Sequence, residues 1–248
     1  MKPKIILVHG FATSKREWEP QIPFFEKMGY EVFTKDLLGH GDGLKPTESN
    51  QYTMDAMYLD FAEWLSSLAI SDPIILIGHS MGATIALRFS IENPANVKKL
   101  ILISPLIARD QITSIPPLFI RAPKFGSSLL RLMPDWLIFH GISMDRTHSR
   151  GLNAEMIRRV ALDIKRADPK ICYFGKTIVD ISKNTGNFPT PALMIWGDRD
   201  NTLNPRFFSE FSLSHPDLIE HRVKNGGHAI HLTHQEEVNA AIEQFLLE

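Results

Sequence analysis

Cysteine is almost missing from this chain of 248 residues. Cys172 stands alone, so no internal disulfide can form and nothing in the composition points to an oxidising compartment. An excess of one charge is missing too. Lys and Arg number 27 against 28 Asp and Glu, a formal net charge of −1, which offers no electrostatic footprint for nucleic acid or an anionic membrane. No apolar run approaches the roughly 18 residues of a membrane helix. The run Ile5–Val8 is too short for the core of a signal peptide. Metal-ligand spacings of the HExxH or paired CxxC kind do not occur, and neither do internal repeats or low-complexity segments. The expectation is a cytoplasmic protein with no nucleic-acid partner and no stable membrane insertion.

Apolar residues make up 44% of the chain and charged residues 22%, close to the globular average. A chain of this length buries roughly three quarters of its unfolded surface and fits one large α/β domain. Six short runs rich in β-branched residues recur: Lys4–Val8, Glu31–Lys35, Ile74–Gly78, Leu100–Ser104, Ala192–Trp196 and Leu218–Val223. Four are nearly continuous in apolar residues, as strands buried on both faces of a parallel sheet must be. Helical patterns at Thr53–Leu68, Met81–Glu92 and Glu236–Leu247 lie between and after them. The alternation predicts a doubly wound, mostly parallel sheet joined by right-handed crossovers.

The alternation fails from about Pro105 to Asn187. That stretch holds two aromatic–apolar patches, Pro117–Ile120 and Leu129–Phe139, and helix-like segments at Asn153–Ala167 and Pro169–Ser182. A structureless loop of such length is rare in a compact domain. The expected organisation is therefore a core of residues 1–104 and 188–248, with 105–187 inserted as a helical cap over one end of the sheet.

Gly78-His79-Ser80-Met81-Gly82 stands between a predicted strand and a predicted helix, the setting the G-x-S-x-G pattern requires. Turning from strand to helix within one residue strains the backbone at Ser80 and brings the flanking positions too close for side chains. The serine hydroxyl is thereby held at the strand's tip, where free N–H groups of the helix favour developing negative charge. A serine hydroxyl is a weak nucleophile and needs an adjacent base. Histidine suits that work, and a carboxylate must fix its tautomer.

With this turn, four further motifs resemble the α/β-hydrolase superfamily along essentially the whole chain. They are His9-Gly10-Phe11, Asp36-Leu37-Leu38-Gly39-His40-Gly41, Gly197-Asp198-Arg199-Asp200 and Gly226-Gly227-His228. Leu38 and Gly43 depart from the family's usual Arg and Ser. The chain opens directly on the strand feeding the first turn, which implies a sheet of about six strands. The resemblance implies Ser80 as nucleophile, His228 as base and Asp200 as the acid. Asp198 is then a turn residue, and Ser104-Pro105 stands where some relatives carry their acid. The implied oxyanion donors are the backbone N–H groups of Phe11 and Met81. His9 is expected to anchor the oxyanion turn, His79 to pack or contact backbone, His40 to be satisfied within its loop, and His231 and His234 to begin or cap the last helix.

The implied activity is that of a serine esterase, a carboxylesterase cleaving small to medium apolar esters through an acyl-enzyme, with no cofactor. Leu118, Phe119, Leu132, Trp136 and Phe139 are expected to roof the substrate pocket. The family also contains carbon–carbon bond hydrolases of dienoates, for which Arg121, Lys124, Arg131 or Arg199 could bind carboxylates. Monoacylglycerol-type lipases and a non-catalytic small-molecule receptor share the fold. Epoxide hydrolases share it too, but use aspartate where Ser80 stands.

Overall fold

A computed structural model describes residues 3–113, 122–144, 152–178, 180, 181, 188 and 190–248. Six strands form one sheet: β1 (Ile5–Val8), β2 (Val32–Thr34), β3 (Ile74–His79), β4 (Val97–Ile103), β5 (Ala192–Gly197) and β6 (Leu218–Val223). Their order is β2-β1-β3-β4-β5-β6, and every pairing is parallel. All six expected runs are strands, and the sheet has the expected size and direction.

The apolar runs are continuous because β1, β3 and β5 are buried along their whole length. Successive side chains point to opposite faces. Ile6, Leu76, Leu100 and Met194 join one core, whereas Ile5, Ile75, Ile101 and Leu193 join the other. Three helices pack on the first face: α1 (Met54–Ser67), α2 (Met81–Glu92) and α3 (Pro205–Ser214). The second face is covered by the short helix Ile22–Lys27 and by the C-terminal helix Gln235–Leu247. Each fully buried Leu or Ile contributes about 1.5–3 kcal/mol, so the two cores fix the strand register.

The helix boundaries follow local chemistry. Thr53 caps α1, its hydroxyl accepting from the Ala56 N–H at 3.0 Å. Between β4 and β5 the described residues hold no sheet strand. They form α4 (Pro123–Leu132), α5 (Asp135–Met144) and α6 (Ala154–Arg166). Pro134 separates α4 from α5, since a proline cannot continue a helix that needs its N–H. Asn153 caps α6, accepting from the Met156 N–H at 2.9 Å. The helix expected over Pro169–Ser182 is instead a 3₁₀ segment, Pro169–Thr177. Gly175 and the β-branched Thr177 are poor formers of a longer α-helix. This segment is tied to the core where the Asp168 N–H donates to the Gly39 carbonyl at 2.7 Å and the Tyr52 hydroxyl to Asp168 at 2.8 Å.

The strand order places the site. The chain builds β2 on one side of β1 and β3 to β6 on the other, so the loops leaving β1 and β3 diverge. A crevice opens between them at the carboxyl edge of the sheet. His9-Gly10-Phe11 and Ser80 leave those two strands.

Candidate active site

Ser80 links β3 to α2 with φ 53° and ψ −117°, a conformation strained for any side chain but glycine. Its neighbours allow it. A Cβ on Gly78 would lie 2.4 Å from the Gly82 carbonyl oxygen, and one on Gly82 would lie 2.3 Å from the Val8 carbonyl oxygen. The second glycine thus serves the approach of β1 as well as the turn. The Ser80 N–H donates to Ile103 at 2.9 Å, and its carbonyl accepts from Ala83 at 3.1 Å and Leu106 at 3.2 Å. Met81 opens α2, so its N–H is among the first-turn donors that have no partner within the helix.

The turn after β1 is held just as tightly. The Leu37 N–H donates to His9 Nε2 at 3.0 Å, which leaves His9 Nδ1–H to donate to the Gly10 carbonyl at 2.8 Å. His9 is therefore neutral, and burial lowers its pKa. It anchors the turn as expected. His40 donates from Nδ1 to the Leu38 carbonyl at 2.9 Å, but its buried Nε2 has no partner. Burial pushes its pKa down to about 3. Asp36 joins two loops by accepting from the Lys15 N–H at 2.6 Å and the Asp42 N–H at 2.8 Å.

The turns after β5 and β6 meet through glycine. A Cβ on Gly197 would sit 2.3 Å from the Gly226 carbonyl oxygen. Asp200 and His228 are joined across this contact, Asp200 Oδ2 to His228 Nδ1 at 2.8 Å. Asp200 Oδ1 accepts from the N–H groups of Thr202 and Leu203 at 2.8 and 2.9 Å, so both carboxylate oxygens are fixed. Asp198 instead accepts from the Asn225 N–H at 2.6 Å and pairs with Arg222 at 3.3 Å. It holds the turn and lies apart from the histidine.

His79 and His231 do more than pack. His79 Nδ1 makes an ion-pair contact with Glu17 Oε1, and His231 Nε2 lies 2.9 Å from the same oxygen. Burial disfavours a charged His79, but the Glu17 carboxylate outweighs it and raises the pKa. Burial and the neighbouring His79 lower the pKa of His231 to about 4. Burial works against the Glu17 carboxylate, yet both histidines hold its pKa well below the usual range. Within Lys15-Arg16-Glu17-Trp18 nothing marks Glu17 as other than a surface charge.

Ser80, His228, Phe11 and His79 all line one cavity of about 590 Å³. Its far wall comes from Leu152, just before α6, and from Met156, Val160 and Ile164, the last three spaced four apart so that they share one face of the helix. That spacing is visible in the sequence, but it says only that the helix has an apolar face. The patch expected to line the pocket lies elsewhere. Leu132 is 79% and Trp136 68% exposed, and Phe139 lines a separate outer groove with Trp136 and Leu162. The reason is packing: α4 lies on the Pro169–Thr177 segment and α5 on α6, so α6 occupies the side toward the sheet. Leu118 and Phe119 lie outside the described residues, as does Arg121. Lys124, Arg131 and Arg199 do not line the cavity; Arg16 and Arg159 do. Both are engaged by Glu19, at 3.2 and 2.8 Å, and Arg159 also by Glu155 at 2.9 Å.

A six-stranded parallel sheet flanked by helices, with its strained serine turn at the carboxyl edge, defines an α/β-hydrolase fold. A profile described as "Alpha/beta hydrolase family" matches residues 5–241, and the chain belongs to that family. Similarity to "Epoxide hydrolase 2" of Siraitia grosvenorii is 34% identity over 102 residues, 41% of this chain and 32% of that protein. The chain thus spans about a third of that relative's length. Similarity to "(E)-2-((N-methylformamido)methylene)succinate hydrolase" of Acinetobacter baylyi is 23% identity over 252 residues, covering 98% of this chain and 89% of that one. Among solved structures, a bromoperoxidase from Bacillus anthracis superposes with a TM-score of 0.81 at 22% identity, covering 100% of this chain and 93% of that one.

Proposed function

We propose that this protein is a serine hydrolase that cleaves carboxylic esters through an acyl-enzyme. The observation that carries the reading is the convergence of Ser80, on its strained turn, and the Asp200-bound His228 on one cavity. In this reading Ser80, His228 and Asp200 form a catalytic triad. His228 takes the Ser80 proton as the hydroxyl attacks the ester carbonyl. Asp200 holds Nδ1 protonated, so that Nε2 is the nitrogen that acts as base. The N–H groups of Phe11 and Met81 receive the oxyanion. His228 then protonates the leaving alcohol, and water repeats the sequence to free the acid. These steps draw on the chain's own groups and call for no cofactor.

Esters are favoured over epoxides by the identity of the nucleophile. Opening an epoxide with a serine would leave an ether, which has no carbonyl for water to attack. A carboxylate nucleophile leaves a hydrolysable ester. Ser80 stands at the position where that choice is made. The aliphatic wall of α6, together with Phe174, Leu106 and Leu203, suits apolar acyl or aryl groups. We assign residues 105–187 to a cap whose α6 forms this wall.

A second reading, carbon–carbon hydrolysis of a dienoate, gains support from Arg16 and Arg159 on the cavity wall. Their pairing with Glu19 weighs against it, because a substrate carboxylate would have to displace that partner.

An organophosphonate probe and a series of p-nitrophenyl esters test the proposal. Wild type is expected to be labelled at Ser80 and to turn over short and medium esters, and Ser80→Ala to lose both. Labelling that persists in Ser80→Ala, or turnover confined to dienoates, refutes the ester reading.

A further inference from the structure

Glu17 sits in the 3₁₀ turn Lys15–Trp18 and is buried beneath the loop that follows β1, its side chain 3% exposed. A buried carboxylate is costly unless each oxygen is paired. Here each oxygen serves a different loop. Oε2 accepts from the Gly10 N–H at 2.9 Å and from the Thr13 hydroxyl at 2.7 Å, both in the turn that carries the Phe11 N–H. Oε1 faces His79 Nδ1 and, at 2.9 Å, His231 Nε2. His79 immediately precedes Ser80, and its Nε2 lies 3.3 Å from the carbonyl oxygen of His228. His231 follows His228 by three residues, and its own carbonyl accepts from the Gln21 side chain.

We propose that Glu17 is a positioning residue: one buried carboxylate ties the oxyanion turn to the nucleophile turn and to the catalytic histidine loop. The three loops leave three different strands, and no backbone hydrogen bond of a sheet reaches across them at this level. Glu17 joins them through two hydrogen bonds to Oε2 and ion-pair contacts from both histidines to Oε1; hydrogen bonds to a carboxylate are shorter and stronger than neutral ones. An error of about 1 Å between donors and base is enough to slow catalysis about 100-fold. The inference rests on the acyl-transfer reading, because it assigns Glu17 the task of registering that machinery.

The same three side chains form a cluster of potential metal ligands within 4.8 Å of one another. Their spacing is too close for an ion held between them. Two donors at about 2.0–2.1 Å from a tetrahedral zinc sit well over 3 Å apart, whereas His231 Nε2 is 2.9 Å from Glu17 Oε1 and His79 is closer still.

The test compares wild type with Glu17→Gln, which keeps the shape and removes the charge. Active sites are counted by running phosphonate labelling to completion, and kcat is expressed per labelled site. We expect kcat per site to fall about 100-fold with KM within about threefold. A merely structural role would lower the number of labelled sites or the melting temperature and leave kcat per site unchanged; that result overturns the proposal. Should Glu17→Gln fail to fold, Thr13→Val and His231→Gln each remove one partner of the carboxylate, and each is expected to cost about tenfold in kcat per site, the worth of one contact to a charged group. No loss in either refutes the role. Stoichiometric zinc in the purified protein, with activity lost to a chelator, also overturns it. Failure of wild type to label at Ser80 would instead sink the acyl-transfer reading, so the two failures are distinguishable.

Discussion

The hydroxyl of Ser104 donates a 3.0 Å hydrogen bond to the carbonyl oxygen of His228. Ser104 follows β4 with φ 43°, and the same carbonyl faces His79 Nε2 at 3.3 Å. The backbone of the proposed base is thus gripped from the β4 end as well as from the nucleophile turn. Replacing Ser104 with Ala removes one grip and leaves the other. We expect kcat to fall about three- to tenfold, the worth of one neutral hydrogen bond, with KM unchanged in steady-state ester hydrolysis.

The two carboxylates of the β5 turn make opposite predictions. Asp200→Asn keeps the shape but removes the charge that fixes the tautomer of His228, so turnover should drop about 10⁴-fold. Asp198→Asn should retain turnover and lose no more than about 1 kcal/mol of stability, because its amide oxygen can still accept from the Asn225 N–H and only the ion pair with the largely exposed Arg222 is lost. The pair is checked by kcat together with urea unfolding.

His40 predicts a pH dependence of stability. Its folded pKa of about 3 lies below the ordinary 6.5. Above pH 6.5 it is neutral in both states. As the pH falls below that value, the unfolded chain takes up a proton that the folded chain refuses, and stability declines until the folded pKa is reached. His231, lowered to about 4, acts in the same direction. His40→Gln should therefore lose about 2 kcal/mol less than wild type between about pH 7 and pH 5, as urea titrations at the two pH values will read.

Val160 stands in the middle of the α6 stripe that walls the cavity. Val160→Trp should fill the space a longer acyl chain needs. Hexanoate and longer p-nitrophenyl esters should lose about tenfold or more in kcat/KM, the scale on which a pocket discriminates a methylene or two. The acetate ester should be nearly unaffected.

The turns were legible in the sequence because backbone sterics write them there. Gly78, Gly82 and Gly197 occur where another chain segment comes within 2.4 Å of any added Cβ, and no other residue can stand at such points. Strands β1, β3 and β5 were legible because burial on both faces leaves almost no polar position, His79 at the end of β3 excepted. The pocket wall was not. Leu129–Phe139 and the stripe from Leu152 to Ile164 are both apolar at helical spacing, and periodicity says that a helix has a face without saying what that face meets. Glu17 was hidden for the related reason that burial of a charge depends on partners distant in the chain.

Local geometry therefore set where the strands and the strained serine turn fall, and marked Asp200 and His228 as the proposed acid and base, since each requires a residue type at a fixed place along the backbone. The packing of α4, α5 and α6 chose which apolar face walls the cavity. The folding of the Lys15–Trp18 turn beneath β1 brought a carboxylate to two histidines. Such contacts join positions as far apart as Glu17 and His231, and their energy exists once those segments meet and water has left.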